Sequence, residues 1–220
     1  MDEALNEAKV FKEDLYKQLS RIGKCLSSDK RLEIMNLLSQ GSKSVEKLAA
    51  CTAMSIANVS RHLQVLLDAK LVKFSKKGTY AIYSLADPSI VDFLAALWRV
   101  CDKQLPDIGK LKQDFLDNLD HIQTLTMDEV QEKLSSESII LLDLRPKEEY
   151  ESGHISGAIS APIEDLENFI QELPQNSEVV AYCRGPLCVY SALAAQKLQA
   201  NGFNAYRMEE GLNEWQHHFQ

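Results

Sequence analysis

The 220-residue sequence predicts two domains of different class, a mainly α domain followed by an α/β domain. Three observations carry this. Between Lys30 and Leu85, short helical stretches give way to a strand pattern that alternates like a hairpin. Between Ser177 and Asn201, a short apolar run, a loop with Gly185 and Pro186, and a helical stretch follow one another. The charge is also divided: residues 20–86 carry 11 Lys and Arg against 4 Asp and Glu (+7), while residues 121–220 carry 6 against 16 (−10).

The composition, 45% hydrophobic and 25% charged, is that of an ordinary soluble chain. The opening MDEALNEAKVFKEDL is charged and amphipathic and does not read as a secretory signal. No apolar run approaches the roughly 18 residues of a membrane span, so no membrane partner is expected. Five cysteines at irregular spacing suit reduced thiols and a cytoplasmic location. A net charge of −8 alone argues against nucleic acid, but the basic segment reverses that reading for the N-terminal domain.

In chain order, Asp2 to Leu26 form a helical pattern whose apolar stripe is Leu5, Ala8, Phe11, Leu15, Leu19 and Ile22. Ser27, Ser28 and Asp29 offer an N-cap for a helix from Lys30 to Ser39 that stops at Gly41. A short helix from Ser44 to Cys51, a turn at Thr52 to Met54 and a helix from Ser55 to Asp68 have helix-turn-helix spacing. Val72 to Phe74, a Lys76-Lys77-Gly78 turn and Tyr80 to Leu85 then form a wing. Together LSSDKRLEIMNLL, SVEKLAACTAMSIANVSRHLQVLLDAKLV and GTYAIYSL resemble the winged helix-turn-helix of the ArsR-type bacterial repressors.

That resemblance implies double-stranded DNA with a pseudo-palindromic operator as the partner. The face of the second helix offers Ser55, Asn58, Ser60, Arg61, His62 and Gln64. Arg pairs with guanine O6 and N7, and Asn or Gln with adenine N6 and N7, whereas serine and lysine mostly hold phosphates. Lys76 and Lys77 suit a wing touching the backbone, or simple protection of a strand edge. The family's metal ligands are missing: only Cys51 stands where arsenic sensors carry two thiols, and no His lies between His62 and His121. No metal and no cofactor are expected. Cys25, Cys51 and Cys101 read as small packing residues, with a Cys25 and Cys101 pairing kept as the alternative.

Asp87 and Pro88 begin a further helix with Ile90, Phe93, Leu94, Leu97 and Cys101 on one stripe. Pro106 interrupts it, and Ile108, Leu111, Phe115, Leu119 and Ile122 continue the spacing. These stripes and the first helix exceed what a small winged helix can bury, so a homodimer is expected. The boundary is placed near Asp120, giving domains 1–120 and 121–220. Thr124 to Leu134 and Ile163 to Leu173 read as helices, and His217 and His218 as surface histidines on a frayed tail.

Val179 to Tyr182 read as a buried strand and Ser191 to Gln199 as a helix ending at Gly202, so Cys183 sits where the strand gives way to a loop. Unpaired N–H groups at the coming helix N-terminus favour an anion and lower a thiol pKa. A half-buried packing cysteine is the competing reading. The flanks decide: IILLDLRPKEEYESGHISGAISAP, with Asp143, Arg145, Glu149 and His154, and YRMEEGLNEW near the end resemble the rhodanese (sulfurtransferase) domain. The resemblance implies a central parallel sheet and a Cys183 that accepts sulfane sulfur as a persulfide. The loop is Cys183, Arg184, Gly185, Pro186, Leu187, Cys188 and Val189. It is about two residues longer than the common rhodanese loop, holds a second cysteine, and lacks the late arginine that clamps oxyanions in phosphatases of related fold. Cys188 is either packing or a resolving thiol. Three functions stay open: a regulator that senses reactive sulfur, a sulfurtransferase whose DNA module regulates its own operon, and an idle docking module, which the presence of Cys183 disfavours. The expected small partner is thiosulfate, a persulfide or a polysulfide.

Overall fold

The computed structural model describes residues 2–119 and 122–219. The chain forms two compact units divided between Leu94 and Ala95. The boundary expected near Asp120 lies outside the described residues.

In the first unit, α1 (Asp2–Leu26) leads to α2 (Asp29–Ser39), whose N-cap Ser28 takes the Arg31 N–H on its hydroxyl. A short strand, β1 (Lys43–Ser44), precedes α3 (Val45–Thr52) and α4 (Ile56–Asp68), each capped by a serine, Ser44 and Ser55. Ala53 adopts the left-handed conformation (φ 53°) and turns the chain between the last two helices. The wing is β2 (Val72–Lys77) and β3 (Tyr80–Leu85), an antiparallel pair that β1 extends in the order β1-β3-β2. Ile34, Met35, Leu48, Val59, Leu63 and Leu66 are fully buried between these elements.

One expectation for this unit changes. The hairpin turn is shorter than predicted, because Lys76 pairs with Ala81 and Lys77 with Tyr80, leaving only Gly78 and Thr79 to reverse the chain. Gly78 takes φ +63°, which suits a two-residue connection. On α1, Ile22, Cys25 and Leu26 join the core, but Leu5, Phe11, Leu15 and Leu19 remain exposed.

The helix α5 (Ser89–Gln104) starts where Asp87 Oδ1 accepts from the Ser89 N–H and hydroxyl, at 2.9 and 2.6 Å. Pro106 stands at the first position of α6 (Pro106–Leu116). The predicted stripe through Leu119 and Ile122 is not helical. Asp117 caps the end and the Asn118 side chain bonds the Asp114 carbonyl, local contacts by which such residues stop helices. Lys112 reaches Glu209 at 2.7 Å and Asp102 at 3.4 Å and lies 4.8 Å from the Trp98 ring centre, which ties α6 and the end of α5 into the second unit.

The second unit continues with β4 (Thr124–Leu125), α7 (Met127–Ser135), β5 (Ile140–Asp143), α8 (Lys147–Ser152) and β6 (Ile159–Ser160). A 3-10 turn, Ile163–Asp165, enters α9 (Leu166–Glu172). Then follow β7 (Glu178–Tyr182), α10 (Tyr190–Ala200), β8 (Asn204–Met208) and α11 (Leu212–Phe219). All five strands are parallel, in the order β4-β8-β7-β5-β6, so β7 is central. Thr124 and Leu125, predicted as helix, pair with Arg207 and Met208 as strand; the helix waits for the Thr126–Glu129 capping box. His217 and His218 belong to α11 and not to a frayed tail: the His218 Nε2 lies 2.9 Å from the exposed Asp128 carboxylate. No helix among the described residues is long and apolar enough to cross a membrane.

Candidate functional site: a dithiol loop on one unit and an exposed helix face on the other

Side chains of β7 alternate between two cores. Val179, Ala181 and Cys183 face the layer holding Leu142, Leu166, Ala194 and Leu198. Val180 and Tyr182 face the other layer, with Val130, Ile155 and Trp215. This period of two sorts the predicted site residues onto opposite sides of the sheet.

On the Tyr182 side lies a buried polar network. Arg145, with no exposed surface, donates through Nη2 to Asp143 Oδ2 at 2.6 Å and to the Gly153 carbonyl at 2.7 Å. The Tyr182 hydroxyl donates to Asp143 Oδ2 at 2.6 Å and accepts from the Ile155 N–H at 3.2 Å. Burial first, and the Asp143 carboxylate second, push the Tyr182 phenol up, so it stays a donor. Asp143 and Arg145 therefore fasten the ends of β5 and β7 to the segment after α8. His154 is exposed, stacked on Tyr150 with ring centres 3.8 Å apart, its Nδ1 at 3.0 Å from the Tyr150 carbonyl.

On the Cys183 side the loop closes on itself. The Cys188 N–H donates to the Gly185 carbonyl at 2.9 Å, and this turn brings the Cys188 Sγ to 2.7 Å from the Cys183 Sγ. Both thiols are free. Cys183 is 2% exposed, whereas Cys188 is only partly covered and packs on the same core layer. The contact with Cys183, and then the nearby backbone N–H groups of Tyr190 and Arg184, bring the Cys188 thiol down to about 6. Cys183 moves the other way, raised by that same contact, by burial and by the neighbouring Cys188 charge. The two sulfurs share one anion, held on Cys188. The sequence placed the lowered thiol at Cys183. The N–H of Tyr190, the first residue of α10, is among the groups that favour charge on Cys188.

Sequence reasoning did not assign a partner to Arg184. Glu149, at the start of α8 and 3% exposed, takes Arg184 in a fork, with contacts of 2.8, 2.9 and 3.2 Å. The loop's own cation is thereby matched by a carboxylate. Gly211 was read only as part of a signature. A Cβ on it would lie 2.7 Å from both the Arg184 carbonyl carbon and the Gly185 nitrogen, so only glycine lets this backbone pass beneath the loop. Gly185 itself takes φ +110°, with Pro186 after it and Leu187, Val189 and Tyr190 forming an exposed apolar rim.

In the first unit, α4 buries Val59, Leu63 and Leu66 and exposes Asn58, Ser60, Arg61 and Gln64. Gln64 donates to Asp68 at 2.9 Å, and Asn58 lies 3.6 Å from the Met54 sulfur. His62 is half-buried, and the Ser55 hydroxyl is engaged as the helix cap, accepting from the Asn58 N–H at 3.3 Å. Lys76 and Lys77 are exposed near the wing tip. Cys25 is buried against Val65, which pushes its thiol up; Cys51 and Cys101 are half-buried.

A winged helix-turn-helix unit is followed by a parallel-sheet unit with a cysteine loop at the end of its central strand, the architecture of a DNA-binding regulator fused to an α/β domain. The family model for "Bacterial regulatory protein, arsR family" matches residues 28–73, and that for "Rhodanese-like domain" matches residues 126–218. The chain is 34% identical over 201 residues to the HTH-type transcriptional regulator Rv0324 of Mycobacterium tuberculosis, covering 91% of this chain and 88% of that one. It is 34% identical over 85 residues to the arsenical resistance operon repressor of Bacillus subtilis (38% of this chain, 81% of that one). The homodimeric winged helix-turn-helix domain of a Mycobacterium bovis protein, solved in solution, is 35% identical, with a TM-score of 0.41 over 43% of this chain and 87% of that one. The chain belongs to the ArsR family of transcriptional regulators, in a form that carries a C-terminal rhodanese-like domain.

Proposed function

We propose that this regulator senses reactive sulfane sulfur through the Cys183 and Cys188 pair and, as a homodimer, binds a pseudo-palindromic DNA site through α4 and the wing. One observation carries the sulfur reading: two free thiols 2.7 Å apart at the end of the central strand. A persulfide formed on either sulfur meets an internal thiol before any acceptor in solution, since a positioned group acts at a very high effective concentration. Sensing is therefore favoured over turnover to an external acceptor. The donor class follows from charge. Arg184 is matched by Glu149 and the rim is apolar, so persulfides and polysulfides fit better than the thiosulfate dianion. The dimer reading rests on the uncovered stripe of Leu5, Phe11, Leu15 and Leu19 on α1. The DNA reading rests on the +7 charge of residues 20–86 and the exposed Asn58, Arg61 and Gln64. With the expected reduced thiols, the protein works in the cytoplasm.

The test treats full-length protein with sodium polysulfide, maps cysteine cross-links by mass spectrometry, and titrates a duplex selected from a random pool. The expected result is a Cys183–Cys188 link and a change in DNA affinity of about tenfold or more, the size of an ordinary allosteric coupling. Unaltered thiols with unaltered affinity would overturn the reading.

A further inference from the structure

We infer that Cys188 is the entry nucleophile of the loop and Cys183 the thiol that resolves it, the reverse of the order the rhodanese resemblance implies. This rests on the reading of the loop as a sulfane-sulfur acceptor and assigns the steps within it.

Access comes first. An incoming donor must bring its outer sulfur in line with the attacking one, and Cys183 is 2% exposed beneath the loop it begins. Cys188 is partly open and is flanked by the exposed Leu187 and Val189, with Tyr190 beside it. A donor arriving over this apolar rim reaches Cys188 before it reaches the core layer behind. Proton placement is the second argument. Of the two sulfurs in contact, Cys188 is the one lowered and the buried Cys183 the one raised, which supports attack from Cys188. The Tyr190 N–H favours charge on Cys188; the Arg184 N–H favours it on both sulfurs, but on Cys183 burial outweighs it.

The chemistry balances without any further reagent. The Cys188 thiolate attacks the outer sulfur of an alkyl persulfide, the donor S–S bond breaks, and the alkyl thiolate leaves with the electron pair. Cys188 becomes a persulfide. Cys183, 2.7 Å away, then attacks the inner sulfur of Cys188. The new bond is the Cys183–Cys188 disulfide, and the outer sulfur departs as hydrosulfide, which takes up the proton Cys183 gives up. The two thiols are oxidised by two electrons, and the sulfane sulfur is reduced to sulfide.

Trypsin makes the order readable, because cleavage after Arg184 puts Cys183 on peptide 148–184 and Cys188 on peptide 185–197. Full-length protein is mixed with limiting glutathione persulfide, quenched with iodoacetamide over a time course, and digested. The expected result is sulfur appearing first on peptide 185–197, followed by the cross-link and released sulfide. Cys183→Ser is expected to accumulate a trapped Cys188 persulfide that neither cross-links nor releases sulfide, whereas Cys188→Ser slows sulfur uptake about tenfold or more. Sulfur appearing first on peptide 148–184, or full-rate uptake in Cys188→Ser, overturns the order while leaving the sensing reading intact. No sulfur on either peptide overturns both. The wild-type time course needs no variant to fold.

Discussion

Glu149→Gln separates the structural work of the Arg184 pair from its effect on donor choice. The carboxylate is 3% exposed and the guanidinium 18%, and the contacts are 2.8, 2.9 and 3.2 Å. Removing one partner of a buried ion pair costs about 3–5 kcal/mol, because the remaining charge is left uncompensated. Glutamine keeps one acceptor oxygen and Arg184 is partly exposed, so about 2–3 kcal/mol is the appropriate figure here. For a domain of about 100 residues that lowers the melting temperature by roughly 8–24 °C, read by calorimetry on full-length protein. The second effect is chemical. A guanidinium released from Glu149 can fork onto the oxygens of thiosulfate, so sulfur uptake from thiosulfate is expected to rise while uptake from an alkyl persulfide holds steady. A folded variant with no gain for thiosulfate would refute the argument that Glu149 neutralises the loop, and an unchanged melting temperature would refute the stability estimate.

Further outcomes follow from the same geometry. Alkylation of Cys188 by iodoacetamide is expected to be half-maximal near pH 6, falling below that pH as the thiolate is protonated; Cys183→Ala removes the contact that lowers the thiol most and moves the midpoint up toward the ordinary thiol value of 9.0. If the midpoint stays put, Cys183 is not the group that holds the anion on Cys188. Arg61→Ala is expected to weaken operator binding by about 1–3 kcal/mol and to relax preference at one base position, measured by anisotropy on a substituted duplex set. A loss equal on every duplex would mean a phosphate contact instead. On α1, the double substitution Leu15→Glu and Leu19→Glu is expected to shift sedimentation from dimer to monomer and to lose full-site DNA binding; a retained dimer would place the interface elsewhere.

Most elements could be read from the sequence because their signals are local. Ser28, Ser44 and Ser55 each announce a helix start, and each is found capping one. The errors fall where a partner distant in sequence decides. Thr124 and Leu125 extend a helical pattern, yet Arg207 and Met208 draw them into the sheet. Lys76 and Lys77 look like turn residues until the ladder to Tyr80 and Ala81 claims them. The α6 stripe continues through Leu119 on paper, but the Asp117-Asn118 pair ends the helix. In each case spacing along the chain was read correctly and a competing hydrogen bond won.

The site was legible in the same uneven way, and its one reversal explains why. That a thiol is activated by a helix N-terminus follows from the strand, loop and helix order alone, and the structure has such a thiol. Which sulfur receives the donors depends on where α10 begins. It begins at Tyr190, one residue before the predicted Ser191, so the Tyr190 N–H is among the groups that lower the Cys188 thiol. The tight turn from Gly185 to Cys188 folds the second thiol back to 2.7 Å from the first. A loop of common length with one cysteine would leave its N–H groups to the strand-end thiol. The added residues bring in Cys188, which competes with Cys183 for those N–H groups.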